Sequence, residues 1–146
     1  GGAPVNYYFD TSALIPAYVP ERLSEKSAAV LAGSSAPYIS RLTEVEFRSV
    51  LSMKVRAREM ARRDADLVAQ TFVRHVEAGT YVRLHITDEL CDVAIAYLAK
   101  PAANLRTLDA LHLACCARHG LKLLTGDIEM ARSARAVGIP VDELYQ

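Results

Sequence analysis

The chain has 146 residues, of which half are apolar and about a quarter charged, and its formal net charge is zero. This length and composition fit one globular domain with a real core and exclude fibrous or disordered classes. No apolar run approaches the roughly 20 residues of a membrane-spanning helix, and no signal-peptide pattern opens the chain. Gly1–Ala3, without a starting methionine, are typical of a cleaved tag and are left out of the fold prediction.

Short β-like runs alternate with helical patterns, which is typical of a parallel sheet with helices on its faces. The prediction is an α/β fold with a mainly parallel sheet, in one domain that takes in residues 1–146. The predicted strands are Val5–Phe9, Ala36–Ser40, Tyr81–His85, Leu121–Thr125 and a short one near Ile139–Val141.

The segments between these strands carry helical spacing and helix-stop residues. A loop is predicted at Lys100–Ala103. Helices are predicted at about Ser12–Val19, at Glu21–Gly33, on either side of a break near Arg62–Asp64, from a Thr87 or Asp88 cap to about Ala99, and from Thr107 to Arg118.

The last of these helices is apolar nearly all round and is stopped by Gly120 in the C′ position. A helix without a polar face lies inside the molecule. Asp109, near its start, is therefore predicted to be buried, and burial of an acid is costly unless something positive meets it.

Four acids stand where an α/β fold can bring them to one edge of the sheet. Asp10 and Asp127 follow the first and fourth predicted strands, and Glu46 and Asp109 lie in the first turns of helices. Two carboxylates about 4 Å apart repel by roughly 4 kcal/mol at an effective dielectric near 20. A cluster of four therefore predicts a hard cation, Mg²⁺ or Mn²⁺, which can activate water against a phosphodiester.

Each acid also has a simpler explanation, so the set is more specific than any member. Asp10 and Asp127 are suited to capping the helices that follow them. Glu44 competes with Glu46, because helical phase does not decide between them and Glu44 lies nearer the apolar stripe. Asp109 is the strongest single case.

Two polar residues near these acids have open roles. Ser12 is placed to bond a carboxylate or a metal-bound water, or to cap a helix. His112, one turn beyond Asp109, is a proton carrier or, more simply, a core histidine with satisfied hydrogen bonds.

The cysteines and the basic residues give weaker signals. Cys91, Cys115 and Cys116 have neither zinc nor disulfide spacing, and we expect them to be buried in a reducing cytoplasm. If the four acids are left out of the count, 17 Lys and Arg residues stand against 13 acids, and the formal net charge is +4. Seven basic residues lie from Arg41 to Arg63, forming either a solvated helix face or a rim for a phosphate backbone.

Four segments resemble the PIN-domain ribonucleases, in order and with similar overall length: Phe9–Leu14 (FDTSAL), Ser40–Phe47 (SRLTEVEF), Leu108–Ala114 (LDALHLA) and Leu124–Asp127 (LTGD). The pattern is most similar to that of the VapC-type toxins of bacterial toxin–antitoxin pairs. The resemblance implies a three-layer α/β/α sandwich and a Mg²⁺- or Mn²⁺-dependent endoribonuclease that acts on single-stranded RNA.

The resemblance also implies site residues and partners. It favours Glu46 over Glu44, because the family acid precedes a run seen here as Phe47–Leu51. It implies a homodimer and a cognate antitoxin whose C-terminal segment covers the active site, often offering an arginine to the acids. The family's acids, as catalytic residues and metal ligands, and its small hydroxyl correspond to Asp10, Glu46, Asp109, Asp127 and Ser12.

Two other classes remain as alternatives. A haloacid-dehalogenase phosphotransferase begins with a similar strand and Asp, but it needs a second Asp where Ser12 stands. A PIN-like binding module with weak catalysis would act through partner surfaces on the apolar helices Ser12–Val19 and Arg41–Met60. A Rossmann dinucleotide site is not supported, because no Gly-x-Gly-x-x-Gly follows the first strand.

Overall fold

The computed structural model describes residues 5–101 and 104–145. Its strands form one sheet in the order β3-β2-β1-β4-β5, and each pairing is parallel. The predicted parallel sheet is confirmed, although the fifth strand begins two residues later than predicted. The strands are β1 Tyr7–Phe9, β2 Tyr38–Ser40, β3 Val82–Leu84, β4 Lys122–Thr125 and β5 Val141–Glu143.

The helices follow the predicted order with two corrections. The predicted Ser12–Val19 helix is one α-turn that continues as a 3-10 helix, Ile15–Ala17, because Pro16 has no N–H for the α-helical ladder. The predicted break near Arg62–Asp64 lies earlier, at Ala57–Ala61. In the predicted loop at Lys100–Ala103, residues 102 and 103 lie outside the described residues. The helices are α1 Thr11–Leu14, α2 Ser24–Gly33, α3 Arg41–Arg56, α4 Arg62–Glu77, α5 Asp88–Leu98, α6 Thr107–His119 and α7 Ile128–Ala136.

The sheet separates two apolar cores, which gives the expected α/β/α sandwich. Successive strand residues point to opposite faces. Tyr8 and Leu123 therefore pack with α5, α6 and α7, whereas Phe9 and Leu124 pack with α1, α3 and α4. All four of these side chains are almost completely buried.

Helix α6 is more deeply buried than the other helices of its layer, as predicted. Gly120 ends it in the left-handed conformation with φ 62°. Cys115 and Cys116 are buried within it, but Cys91 on α5 is exposed, so the prediction of three buried cysteines is wrong for Cys91. No helix in the described part of the chain has the length and apolarity to cross a membrane.

The strand order creates a crevice at one edge of the sheet. From β1 the chain proceeds to β2 and β3 on one side, and it then returns to β4 and β5 on the other side. Ligands bind to open parallel sheets at such a switch point, beyond the carboxyl ends of the strands. Asp10 directly follows β1, and Asp127 lies two residues beyond β4.

Candidate active site

A pocket of about 170 Å³ lies at this switch point. The side chains that line it are Asp10, Thr11, Ser12, Glu46, Arg106, Asp109, His112, Asp127 and Met130. The four acids singled out in the sequence are thus brought together from four separate segments. Larger cavities exist, and in one of about 510 Å³ beside β5 the two acids are paired, Asp142 with Lys122 and Glu143 with Arg135.

Asp10 is the most deeply buried of the four acids, with 5% of its surface exposed. Its Oδ1 accepts hydrogen bonds from Ser12 Oγ at 2.6 Å and from the backbone N–H of Ala13 at 3.0 Å, which caps α1. Burial raises the pKa of the Asp10 carboxyl, although the electrostatic attraction of His112 and the hydrogen bond from Ser12 lower it. The carboxylate is therefore held rigidly in a place where ionisation is costly.

Ser12 also ties the ends of β1 and β4 together. Its Oγ accepts a hydrogen bond from the Gly126 N–H at 2.9 Å and lies 3.1 Å from Thr125 Oγ1. A Cβ on Gly126 would lie only 3.0 Å from the backbone oxygen of Ser12, so a larger residue here would push the two segments apart by a few tenths of an ångström. Ser12, predicted from its position after Asp10, thus bonds the carboxylate and joins the segments that follow β1 and β4.

Glu46 is held by two donors that reach the same oxygen. Its Oε1 accepts from Thr11 Oγ1 at 2.9 Å and from His112 Nε2 at 2.5 Å. No hydrogen bond from the described residues reaches its Oε2. Burial opposes the ionisation of Glu46, but the hydrogen bond and electrostatic attraction of His112, with the bond from Thr11, outweigh burial and hold the pKa of Glu46 below its usual value.

The choice between Glu44 and Glu46 is decided by where each side chain lies. Glu44 forms ion pairs with Arg83 at 2.6 Å and with Arg41 at 2.9 Å, and it does not line the pocket. Glu46 points into the pocket from the same helix. The resemblance, and not the helical phase, therefore selected the residue that faces the other acids.

Asp109 is half-buried, which corrects the prediction of a buried acid: 25% of its side chain is exposed. It lies in the first turn of α6, where the helix dipole favours an acid, and its Oδ2 is 3.6 Å from Arg106 Nε. Burial raises its pKa, Arg106 and His112 lower it, and the carboxylates of Asp127 and Glu46 raise it again. The acids are thus close enough to repel one another.

Asp127 serves as a helix cap and also faces the pocket. Its Oδ1 accepts from the N–H groups of Glu129 at 2.9 Å and Met130 at 3.4 Å, at the start of α7. These bonds use one carboxylate oxygen, and no bond from the described residues is made to Oδ2. The capping explanation is therefore correct for Asp127, and it leaves an oxygen for a ligand.

Three residues near the acids were not singled out in the sequence: Thr11, Arg106 and Tyr8. Thr11 and Arg106 are close in sequence to Asp10 and Asp109, which is the signal that could have found them. Tyr8 could not be found in this way, because its hydroxyl contacts His112 Nδ1, at 2.5 Å, from 104 residues away.

The basic stretch from Arg41 to Arg63 contributes nothing to the lining of the pocket within the described residues. Arg48 pairs with Asp66, and Lys54 lies near Glu21 and Glu59. The stretch therefore lies outside the lining of the pocket, and its role as a rim for a phosphate backbone stays a prediction. Among the lining side chains that the structure describes, Arg106 is the one lysine or arginine.

A family model for the PIN domain matches residues 7–136. The chain belongs to the PIN domain family. A search of curated proteins gives no match.

Solved structures with the same fold match almost the whole of this chain. FitAcB from Neisseria gonorrhoeae has a TM-score of 0.76 at 16% identity, covering 96% of this chain and 99% of the other. VapC20 from Mycobacterium tuberculosis, described as a Sarcin-Ricin loop cleaving toxin, has a TM-score of 0.70 at 16% identity, covering 92% and 96%. A toxin–antitoxin complex from Klebsiella pneumoniae has a TM-score of 0.66 at 22% identity, covering 97% and 99%. At these identities the likeness shows a common fold.

The pocket of this PIN domain suits one class of metal ion. Within residues 5–101 and 104–145, no group of three or more His, Cys, Asp or Glu side chains is already arranged to hold a metal. The lining offers four carboxylates and one histidine but no cysteine, a donor set richer in oxygen than that of a structural zinc site. Mg²⁺ is typically bound through one or two carboxylates and keeps several waters. Separated carboxylate oxygens around a small polar pocket fit Mg²⁺, or the similar Mn²⁺, in this partly hydrated form.

Proposed function

We propose that this chain acts as a single-domain, metal-dependent endoribonuclease that cuts single-stranded regions of RNA, as the toxin of a toxin–antitoxin pair. The observation that carries the proposal is the convergence of Asp10, Glu46, Asp109 and Asp127 on one pocket at the switch point of the sheet. The likeness to structures described as toxins and toxin–antitoxin complexes supports it. We propose the cytoplasm as its site of action.

The four acids would hold Mg²⁺ or Mn²⁺, and the bound ion would activate water and neutralise charge on the phosphate. Each carboxylate is aimed by its own donors: Asp10 by Ser12, Glu46 by Thr11 and His112, and Asp127 by the start of α7. The Arg106 side chain, 80% exposed beside Asp109, would offer its guanidinium to an incoming phosphate. Hydrolysis is expected to leave 5′-phosphate and 3′-hydroxyl ends.

Purified protein is expected to cut a labelled single-stranded RNA with Mg²⁺ or Mn²⁺, to stop when EDTA is added and to resume when the metal is restored. A duplex RNA of the same sequence is the matched control, and it should be cut far more slowly. Cleavage is followed by gel electrophoresis, and the product ends by ligation. Cutting that continues in EDTA, or no cutting with either ion, would overturn the proposal.

We also propose a homodimer and a protein antitoxin as partners of this PIN domain. An apolar groove of about 400 Å³ runs between α3 and α4, lined by Phe47, Phe72, Val73 and Val76 among others. A groove of this kind suits the apolar face of a partner helix. Growth arrest on induction, rescued by a small neighbouring gene, would support an antitoxin; arrest that no neighbouring gene relieves would oppose it.

The second candidate is a binding module with weak catalysis. One observation favours it: the described acids are not preassembled as a metal-binding group. Titration calorimetry separates the two candidates. Binding of Mn²⁺ by the wild-type protein, and its loss on replacing Asp10, supports the enzyme, whereas absence of Mn²⁺ binding supports the module.

A further inference from the structure

A chain of buried hydrogen bonds leads from the core of the protein to Glu46. Ser40 Oγ lies 2.8 Å from the Tyr8 hydroxyl, the hydroxyl lies 2.5 Å from His112 Nδ1, and His112 Nε2 lies 2.5 Å from Glu46 Oε1. Tyr8 and Ser40 are fully buried, and His112 is 3% exposed. A histidine that only fills the core does not need a hydrogen bond to a carboxylate in the pocket.

We propose that His112 is a positioning residue: its Nε2–H holds Glu46 Oε1, so that Oε2 is presented to a divalent cation in the pocket. The inference rests on the proposed metal-dependent nuclease and deepens it. His112 also lines the pocket, but the role assigned to it here is to act through Glu46.

The proton positions follow from the partners. An ionised carboxylate only accepts hydrogen bonds, so Nε2 carries the proton that faces Glu46. Burial raises the pKa of Tyr8 well above its usual value, so its hydroxyl keeps a proton that it can donate to Nδ1, 2.5 Å away. A proton on Nε2 is what the contact with Glu46 requires, and the contact of Nδ1 with Tyr8 fits a hydroxyl that donates to Nδ1 while Ser40 Oγ donates to the Tyr8 oxygen.

The bond joins the two layers of the sandwich at the sheet edge. His112 belongs to α6, which packs in one core, and Glu46 belongs to α3, which packs in the other. Thr11 from α1 donates to the same oxygen, Oε1. Because both donors bond Oε1, the other oxygen, Oε2, is held in one orientation. A glutamate on an exposed helix face would not have a fixed orientation. Residues that orient a metal-binding carboxylate in this way typically change metal affinity or activity by 10- to 100-fold when they are replaced.

Two variants of His112 separate its role as a hydrogen-bond donor to Glu46 from its role as an acceptor from Tyr8. In His112→Gln the amide nitrogen reaches the place of Nε2 and donates to Glu46. In His112→Asn the amide oxygen takes the place of Nδ1 and accepts from Tyr8, but the side chain is too short to reach Glu46. Both keep a polar side chain in the buried site, and thermal unfolding reports whether each variant folds. His119→Asn, on the exposed last turn of the same helix, is the control.

The measurements are the Mn²⁺ dissociation constant, the Mn²⁺ dependence of RNA cleavage and the His112 tautomer by ¹⁵N NMR. We expect His112→Asn to weaken Mn²⁺ binding and cleavage about 10- to 100-fold, His112→Gln to recover most of the loss, and the wild type to carry the Nε2–H tautomer. Equal losses in two folded variants, no loss in either, or an Nδ1–H tautomer would overturn the inference. If the wild type cuts no RNA, the proposed function fails, and Mn²⁺ affinity and the tautomer still decide whether His112 holds Glu46.

Discussion

Asp109→Asn is expected to lower the rate of RNA cleavage about 10³-fold, equal to about 4 kcal/mol of transition-state stabilisation, without loss of thermal stability. The amide keeps the shape of the carboxylate but removes the charge that a cation would bind. Stability should stay level or rise, because burial and the carboxylates of Asp127 and Glu46 already oppose ionisation of Asp109. The opposing loss is small, since its partner Arg106 is largely exposed and 3.6 Å away.

The readouts are initial cleavage rates at saturating Mn²⁺ and thermal unfolding by circular dichroism. Glu44→Gln is the matched control, because Glu44 is an acid of α3 that pairs with Arg41 and Arg83 outside the pocket. It should cut RNA at close to the wild-type rate. Full activity in Asp109→Asn, or an equal loss in both variants, would refute the assignment of the site.

Mn²⁺ is expected to raise the unfolding temperature of the wild type by about 5–10 °C when its concentration is 100-fold above its dissociation constant. Binding at that concentration stabilises the folded state by about 2.7 kcal/mol, which corresponds to this temperature shift for a chain of this size. Asp10→Asn should lose most of this shift. The metal-free variant should be at least as stable as the metal-free wild type, because burial raises the pKa of Asp10 and makes its charge unfavourable. Asparagine is also a good helix cap and keeps the bond to Ala13.

NaCl at matched ionic strength separates specific binding from charge screening, since screening acts on every pair of surface charges. The wild type and Asp10→Asn should respond alike to NaCl and differently to Mn²⁺. A Mn²⁺ shift of the same size in both proteins would place the ion elsewhere.

The sheet and two of the acids were predictable because their signals are local. An apolar run that ends in an acid, followed by a helix, positions that acid at the carboxyl end of a strand, as for Asp10 and Asp127. The 3-10 helix after α1 was missed although its cause, Pro16, is also local. Asp109 was expected to be buried because α6 is apolar, but its position in the first turn leaves it at the pocket edge.

The contacts that orient the side chains could not be predicted from the sequence, because they join segments that are far apart in the chain. Glu44 lies nearer the apolar stripe of α3, yet Arg83, 39 residues away, holds it outside the pocket. His112 meets Glu46 across 66 residues and Tyr8 across 104. Such pairings depend on how the helices of the two layers meet at the sheet edge, which no local pattern encodes.

X-ray diffraction from crystals grown with Mn²⁺, measured near the manganese absorption edge, locates the ion without reference to activity. We expect an anomalous peak in the pocket, about 2.1 Å from one or two carboxylate oxygens, with water as its other ligands. Glu46 Oε2 and an oxygen of Asp10, Asp109 or Asp127 should be within reach of it. A pocket without a peak at saturating Mn²⁺, or a peak only at a distant surface site, would contradict the convergence of these acids on a metal.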